Sequence, residues 1–235
     1  MMNNKFQAAG IYVVLKNFLS FQKPTIMNVL IFGASGKTGQ HLLSKALEQG
    51  HVVTAFARDP SKIMMQHPNL KVVQGNVSDY RLVEDAIKGQ QVVLSALGAH
   101  SPFKFDQVIV EGVGNIIKAM EANAVNRFVY LSFIGVKKGC KDAGFFIRYI
   151  APKILKTEAE GHRVREAMIE NSQLQWTIIH PPGLTNAKPK NVYRSGVDIS
   201  SKGFFVTISR ADVADFMLKL ITDNNYLQKK VRVMY

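Results

Sequence analysis

From Met27 onward the apolar positions fall into two patterns that take turns along the chain. "MNVLIFG" is a short unbroken apolar run, "KTGQHLLSKALEQG" spaces its apolar residues one helical turn apart and closes on glycine, and "HVVTAFAR" is again continuous and β-branched. The order strand, helix, strand then repeats. "LKVVQG", "QVVLSALG", "NRFVYLSF" and "WTIIHPPG" read as strands; "YRLVEDAIKG", "DQVIVEGVGNIIKAMEANAV" and "GHRVREAMIENS" read as helices. Near the end, "SRADVADFMLKLI" predicts a helix opened by Ser209 and Asp212 in capping-box spacing, and "KKVRVMY" a last short strand. Strands that are apolar on both faces and joined through helices belong to a parallel sheet with right-handed crossovers. The expected architecture is therefore a single-domain α/β Rossmann fold with a doubly wound, mostly parallel sheet.

The stretch "GASGKTG" lies between the first strand and the first helix. Gly36-Lys37-Thr38 matches the tail of a phosphate-binding loop for nucleoside triphosphates, but that loop would need a glycine at position 31, where the chain has Ile31. Gly33, Gly36 and Gly39 instead suit a dinucleotide turn. Gly33 permits the tight turn, Gly36 lets the backbone approach a pyrophosphate, Gly39 lets helix pack on sheet, and Ser35, Lys37 and Thr38 frame the same phosphates.

Composition narrows the picture. Thirty Lys and Arg against 17 Asp and Glu give a formal net charge of +13 in 235 residues, which favours anionic partners such as phosphorylated cofactors, nucleic acid or an acidic membrane surface. No reader-helix or basic motif interleaved with aromatics supports specific nucleic-acid binding. The single cysteine, Cys140, excludes an intrachain disulfide and a cysteine-built metal centre and suits a reducing compartment, so a cytoplasmic location is expected. No His, Cys, Asp or Glu cluster has metal-ligand spacing. Residues 1–26 carry Lys5, Lys16 and Lys23 and no acidic residue; their apolar run is interrupted by Lys16 and is too short to span a bilayer. They read as an appendage, either a targeting segment or an over-long start, ahead of a domain over residues 27–235.

"VLIFGASGKTGQHLLSKALEQGHVVTAFARDPSK", "LSFIGV", "QWTIIHPPGLTN" and "SRADVADFMLKL" together resemble the atypical short-chain dehydrogenase/reductases, in particular the NAD(P)H-binding NmrA-like and biliverdin reductase B-like group. The resemblance runs from about Met27 to the C-terminus. It implies an NADP(H)-binding core with a shallow substrate site over the nicotinamide, and a monomer or homodimer acting on a small-molecule acceptor. At the end of the second strand, where an NAD site usually places an acidic side chain, stand Ala57 and Arg58. Arg58 can hold a 2′-phosphate in a bidentate fork, with Lys37 adding charge from the same side. Asp59 is expected to point away.

Ligands of such sheets lie beyond the carboxyl ends of the strands. Ala96, Leu97 and Gly98 are expected to flank the cofactor, Pro182 to pass its carboxamide end, and Phe133, Gly183 and Leu184 to face the substrate. Ser132 occupies the position from which short-chain reductases bond a substrate carbonyl. Phe133 follows it where related flavin reductases carry a second hydroxyl, and Gly183 stands where biliverdin reductase B has a histidine. Tyr149 and Lys153 have the spacing of the superfamily's proton-donating Tyr-Lys pair, yet counting back from Trp176 puts the lysine position at His162 and the tyrosine position at Glu158, and Pro152 disturbs a regular helix at Tyr149. His162 is thus the candidate beside Ser132, with His180 and His100 as lesser ones. Transfer of hydride to a flavin or quinone and a sensor that binds NADPH without turnover both remain open; nucleic-acid binding ranks last.

Overall fold

The computed structural model describes residues 25–98, 105–136, 144–200 and 203–235; His100, Cys140 and most of the N-terminal appendage lie outside them. Strands β1 (Asn28–Phe32), β2 (Val52–Ala57), β3 (Leu70–Gln74), β4 (Val92–Ser95), β5 (Arg127–Leu131) and β6 (Gln175–His180) alternate with helices α1 (Lys37–Glu48), α2 (Tyr80–Ile87), α3 (Gln107–Ala122) and α4 (Lys156–Glu170). Short strands β7 (Gly183–Thr185), β8 (Arg194–Gly196) and β9 (Thr207–Ser209), helix α5 (Arg210–Lys219) and strand β10 (Lys229–Met234) complete the chain. The eight-stranded sheet has the order β3-β2-β1-β4-β5-β6-β10-β8; every pairing is parallel except the last, β10 with β8. The order reverses between β1 and β4, which opens a crevice at the carboxyl end of the sheet.

Side-chain alternation builds a core on each face. In β1, Val29 and Ile31 join Leu42, Leu43, Val213 and Met217 beneath α1 and α5, whereas Leu30 and Phe32 join Val83, Ile116 and Trp176 beneath α2, α3 and α4. The helices begin where the sequence supplies caps: Asp79 for α2, Asp106 for α3 and Ser209 for α5. Only half of the expected capping box forms at α5. Ser209 Oγ accepts from the Asp212 N–H, but the Ser209 N–H goes to the Tyr235 hydroxyl at 3.1 Å, and the buried Asp212 carboxylate instead holds the Lys190 and Asn191 N–H groups. The three-residue strands and the start of α4 at Lys156 depart from the sequence reading, which began that helix at Gly161. β7 and β9 pair with each other in a separate two-stranded ribbon.

The first strand is anchored from Met27, whose N–H donates to His51 Nδ1 at 3.2 Å and whose carbonyl accepts from Val52 at 3.0 Å. A protein beginning at Met27 is therefore expected to fold and to bind NADPH as the full chain does. Loss of binding in a fluorescence titration of the truncated protein would make residues 1–26 part of the core.

Candidate functional site

The glycine turn separates into three different tasks. Gly33 has φ +77, a left-handed conformation that suits glycine, and a Cβ there would lie 2.7 Å from the Ala96 carbonyl oxygen. A Cβ on Gly39 would fall 2.0 Å from the Gly33 carbonyl oxygen; this residue is buried beneath the turn and lines neither cleft described below, so its part is packing rather than contact with a cofactor. At Gly36 a Cβ would meet only the Gly33 carbonyl oxygen, at 3.2 Å, and otherwise open space. Gly36 is also the N-cap of α1 and provides no side-chain cap, so the first N–H groups of that helix have no side-chain partner among the described residues where Gly36, Lys37 and Thr38 line the crevice. Bare amides, a backbone that can be approached closely and a helix N-terminus fit a pyrophosphate.

Two clefts meet at this turn. The smaller, about 160 Å³, is lined by Gly33, Ser35, Gly36, Arg58 and the Ala96-Leu97-Gly98 segment. Arg58 is exposed and has no hydrogen bond or ion pair with any described residue. The Asp59 carboxylate turns back to accept from the Ser61 N–H at 3.2 Å and the Ser61 hydroxyl at 2.5 Å, as expected of a residue not reading the cofactor. Lys37 lines the larger cleft with Thr38, and Arg58 the smaller one.

The larger cleft, about 610 Å³, lies over the ends of β4, β5 and β6 and brings together Ser132, Phe133, His162, Pro182, Gly183 and Leu184. Phe146 and Phe205 add two further aromatic walls, and Arg210 reaches the rim while donating to the Leu184 carbonyl at 3.2 Å. These three were not evident from the sequence, because they come from segments that read as irregular or, for Arg210, as a helix start. Tyr149 lies on a π-helical turn (Phe146–Ile150), packs against Phe145 with 4.8 Å between ring centroids and does not line the cleft; Lys153 is exposed. The Tyr-x-x-x-Lys spacing is thus not a proton-donating pair over the crevice. Glu158 and His162, one turn apart on α4, face the cleft in its place.

The protonation of this pair follows from its bonds. Burial holds the Tyr130 hydroxyl protonated, and its one partner among the described residues is His162 Nδ1 at 3.2 Å. Nδ1 therefore accepts, and the ring proton sits on Nε2, which donates to Glu158 Oε1 at 3.0 Å. Burial lowers the His162 pKa, against the opposing pull of Glu158, so the ring is neutral near neutral pH. Burial pushes the Glu158 pKa up, but bonds from His162 and Arg165 outweigh it and leave the carboxyl below its ordinary value.

Ser132 connects the cleft to a second buried carboxylate. Its hydroxyl donates to Glu166 Oε1 at 2.5 Å and lies 3.1 Å from His162 Nδ1; its one proton favours the charged acceptor. His180 Nε2 donates to the same Glu166 oxygen at 2.9 Å, and Lys230 Nζ forms an ion pair with Oε2 at 3.0 Å. Burial of Glu166 raises its pKa, but these partners prevail and hold it at about 2. His180 thus faces away from the crevice and lines a separate cavity, also about 610 Å³, with Glu166 and Lys230. Ser132 is poised differently from a free hydroxyl: its oxygen can accept a bond, whereas donating one to a ligand requires leaving Glu166. Among the described residues no group of His, Cys, Asp or Glu is arranged to hold a metal ion.

A glycine turn at a helix N-terminus, an open crevice at the strand-order reversal and a basic residue ending β2 define a dinucleotide-binding Rossmann protein. Residues 33–224 match the NAD(P)H-binding family, and the chain belongs to that family. It is similar to an uncharacterized chloroplastic protein of Arabidopsis thaliana, 26% identical over 218 residues that cover 88% of this chain and 76% of that one. A 3 beta-hydroxysteroid dehydrogenase/Delta 5-->4-isomerase of Mycobacterium tuberculosis is 32% identical over 122 residues, 47% of this chain but a third (33%) of that protein's length. Among solved structures, the anaerobillin reductase ChuY of Escherichia coli O157:H7 shares the fold with a TM-score of 0.73 at 20% identity, covering 88% of this chain and 96% of that one.

Proposed function

We propose that the protein is an NADPH-dependent reductase that passes hydride to a flat conjugated acceptor, a flavin or a quinone. The observation that carries this reading is the aromatic-walled cleft itself: Phe133, Phe146 and Phe205 offer stacking faces, while a neutral, carboxylate-bound His162 and Glu158 stand where a Tyr-Lys acid pair would be. Such acceptors depend on proximity and stacking, and water can supply the accompanying proton. The protein's own residues do the positioning. Gly36 and the α1 amides receive the pyrophosphate, Arg58 the 2′-phosphate, Ala96 to Gly98 and Pro182 flank the nicotinamide end, and Phe133 with Leu184 orients the acceptor above it. When bound, NADPH supplies the hydride.

A sensor that binds NADPH without turnover would share the missing acid pair, but an open cleft of about 610 Å³ above the turn favours a second small molecule. Two substitutions test the reading. Tyr149→Phe is expected to keep most of the native rate, whereas a general acid typically contributes about 10²–10⁴-fold. Phe133→Ala is expected to raise the acceptor KM roughly fivefold or more, in line with about 1 kcal/mol for an aromatic stacking contact. A hundredfold loss in Tyr149→Phe, with NADPH affinity unchanged, would move the substrate to a ketone or alcohol; steady-state kinetics of both variants measures the difference.

A further inference from the structure

The rim of the larger cleft continues outward as an apolar surface. Phe145, Tyr149, Ile154, Phe204 and Phe205 are between 48% and 64% exposed. They are not scattered. Phe145 stacks on Phe204 with centroids 5.2 Å apart and planes within 15°, Phe204 packs on Phe205 at 4.7 Å, and Phe146 packs on Phe205 at 5.0 Å. The Phe146 N–H donates to the Phe204 carbonyl at 3.2 Å, which ties the two contributing segments together. Single exposed apolar side chains are ordinary on a surface, but a contiguous aromatic one marks something that covers it.

The charges around the patch indicate what covers it. Residues 144–157 contain Arg148, Lys153 and Lys156 and no Asp or Glu, and all three cations are exposed, Arg148 lying 4.9 Å above the Tyr149 ring. Protein interfaces are depleted in lysine at their cores and pair charges of both signs, whereas aromatic rings set among cations of one sign suit the headgroup region of an anionic bilayer. The net charge of +13 acts in the same direction. No described helix is long and apolar enough to cross a membrane, so the contact is peripheral.

We propose that this patch docks on an anionic lipid surface and that the cleft draws a lipid-dissolved acceptor through the Phe146–Phe205 side of its rim. The second half rests on the reductase reading; the first does not. Each lysine or arginine near such a surface strengthens binding about fivefold, and inserted rings add their buried area. Co-sedimentation with vesicles, without acceptor, tests the docking. The full chain is expected to pellet with phosphatidylcholine–phosphatidylglycerol vesicles at low salt and to stay in solution with phosphatidylcholine alone. Phe145→Ser/Phe204→Ser and, separately, Lys153→Glu/Lys156→Glu should each weaken binding at least about tenfold with NADPH affinity unchanged. Absence of binding to the anionic vesicles overturns the proposal, as does binding that the aromatic double variant leaves intact, which would reduce it to bulk charge. So does a native dimer that this variant dissociates in sedimentation velocity, which would make the patch a face between two copies. Should the aromatic variant misfold, the charge-reversal variant decides against Lys71→Glu/Lys88→Glu, which removes the same charge away from the patch and should weaken binding less; equal losses overturn the proposal. Vesicle binding without turnover of any acceptor would defeat the reductase reading alone, and turnover of a water-dissolved flavin without vesicle binding would defeat the docking alone.

Discussion

Replacing Arg58 with alanine should raise the Kd for NADPH about ten- to a hundredfold and leave the Kd for NADH nearly unchanged. The size follows from charge-assisted hydrogen bonds to a phosphate, which contribute about 1–3 kcal/mol. The selectivity follows from position. Arg58 follows β2 beside the smaller cleft, has no carboxylate partner among the described residues and is followed by an Asp59 whose Oδ1 accepts from Ser61 and whose Oδ2 pairs with Lys62. NADH, lacking the 2′-phosphate, has nothing for the guanidinium to pair with. Lys37, which lines the larger cleft, should contribute to both nucleotides alike. Titration of the native protein and the variant with each cofactor measures this; equal native affinities, or equal losses, would remove Arg58 from the selectivity.

Glu166→Gln should destabilise the protein by about 3 kcal/mol near neutral pH, and the difference should shrink as the pH falls below 4.5. A carboxyl held at about 2 in the folded chain, against an ordinary 4.5, favours folding while it is ionised. Because the folded pKa is the depressed one, that stability is fully present above the unfolded pKa and is lost as the pH drops toward the folded one. Glutamine keeps the volume but leaves Lys230 with Glu170 alone and sets an amide against His180 and Ser132. Urea midpoints of the two proteins over a pH series read the effect directly. A gap that does not narrow in acid would assign the loss to packing rather than to charge.

The parts of this molecule legible in the sequence are those whose signal is local. β1, the glycine turn and α1 lie in one continuous stretch, so the apolar run, the spacing of Gly33, Gly36 and Gly39 and the helical period reinforce one another, and Arg58 is found by counting to the next strand end. Ser132 and His162 could be placed by position relative to recognised strands, but not their protonation, which depends on Tyr130 and Glu158. The Glu166 network has no local signal because its members come from the loop after β5, α4, β6 and β10, with Lys230 sixty-four residues beyond Glu166 in the chain. Phe146 and Phe205 likewise meet across two segments without a readable period. β7, β8 and β9 are three residues each, too short for alternation to show. The start of α4 was missed because "KTEAE" has no apolar stripe.

Turnover is measured by mixing the purified full chain with NADPH and a panel of flavins and quinones while following nicotinamide absorbance. NADPH is expected to be oxidised only when an acceptor is present, faster than NADH at equal concentration, with saturation in the acceptor that Phe133→Ala shifts to higher concentration. NADPH that binds in a parallel titration yet is consumed with none of the acceptors would contradict it and leave a protein that senses the cofactor without using it.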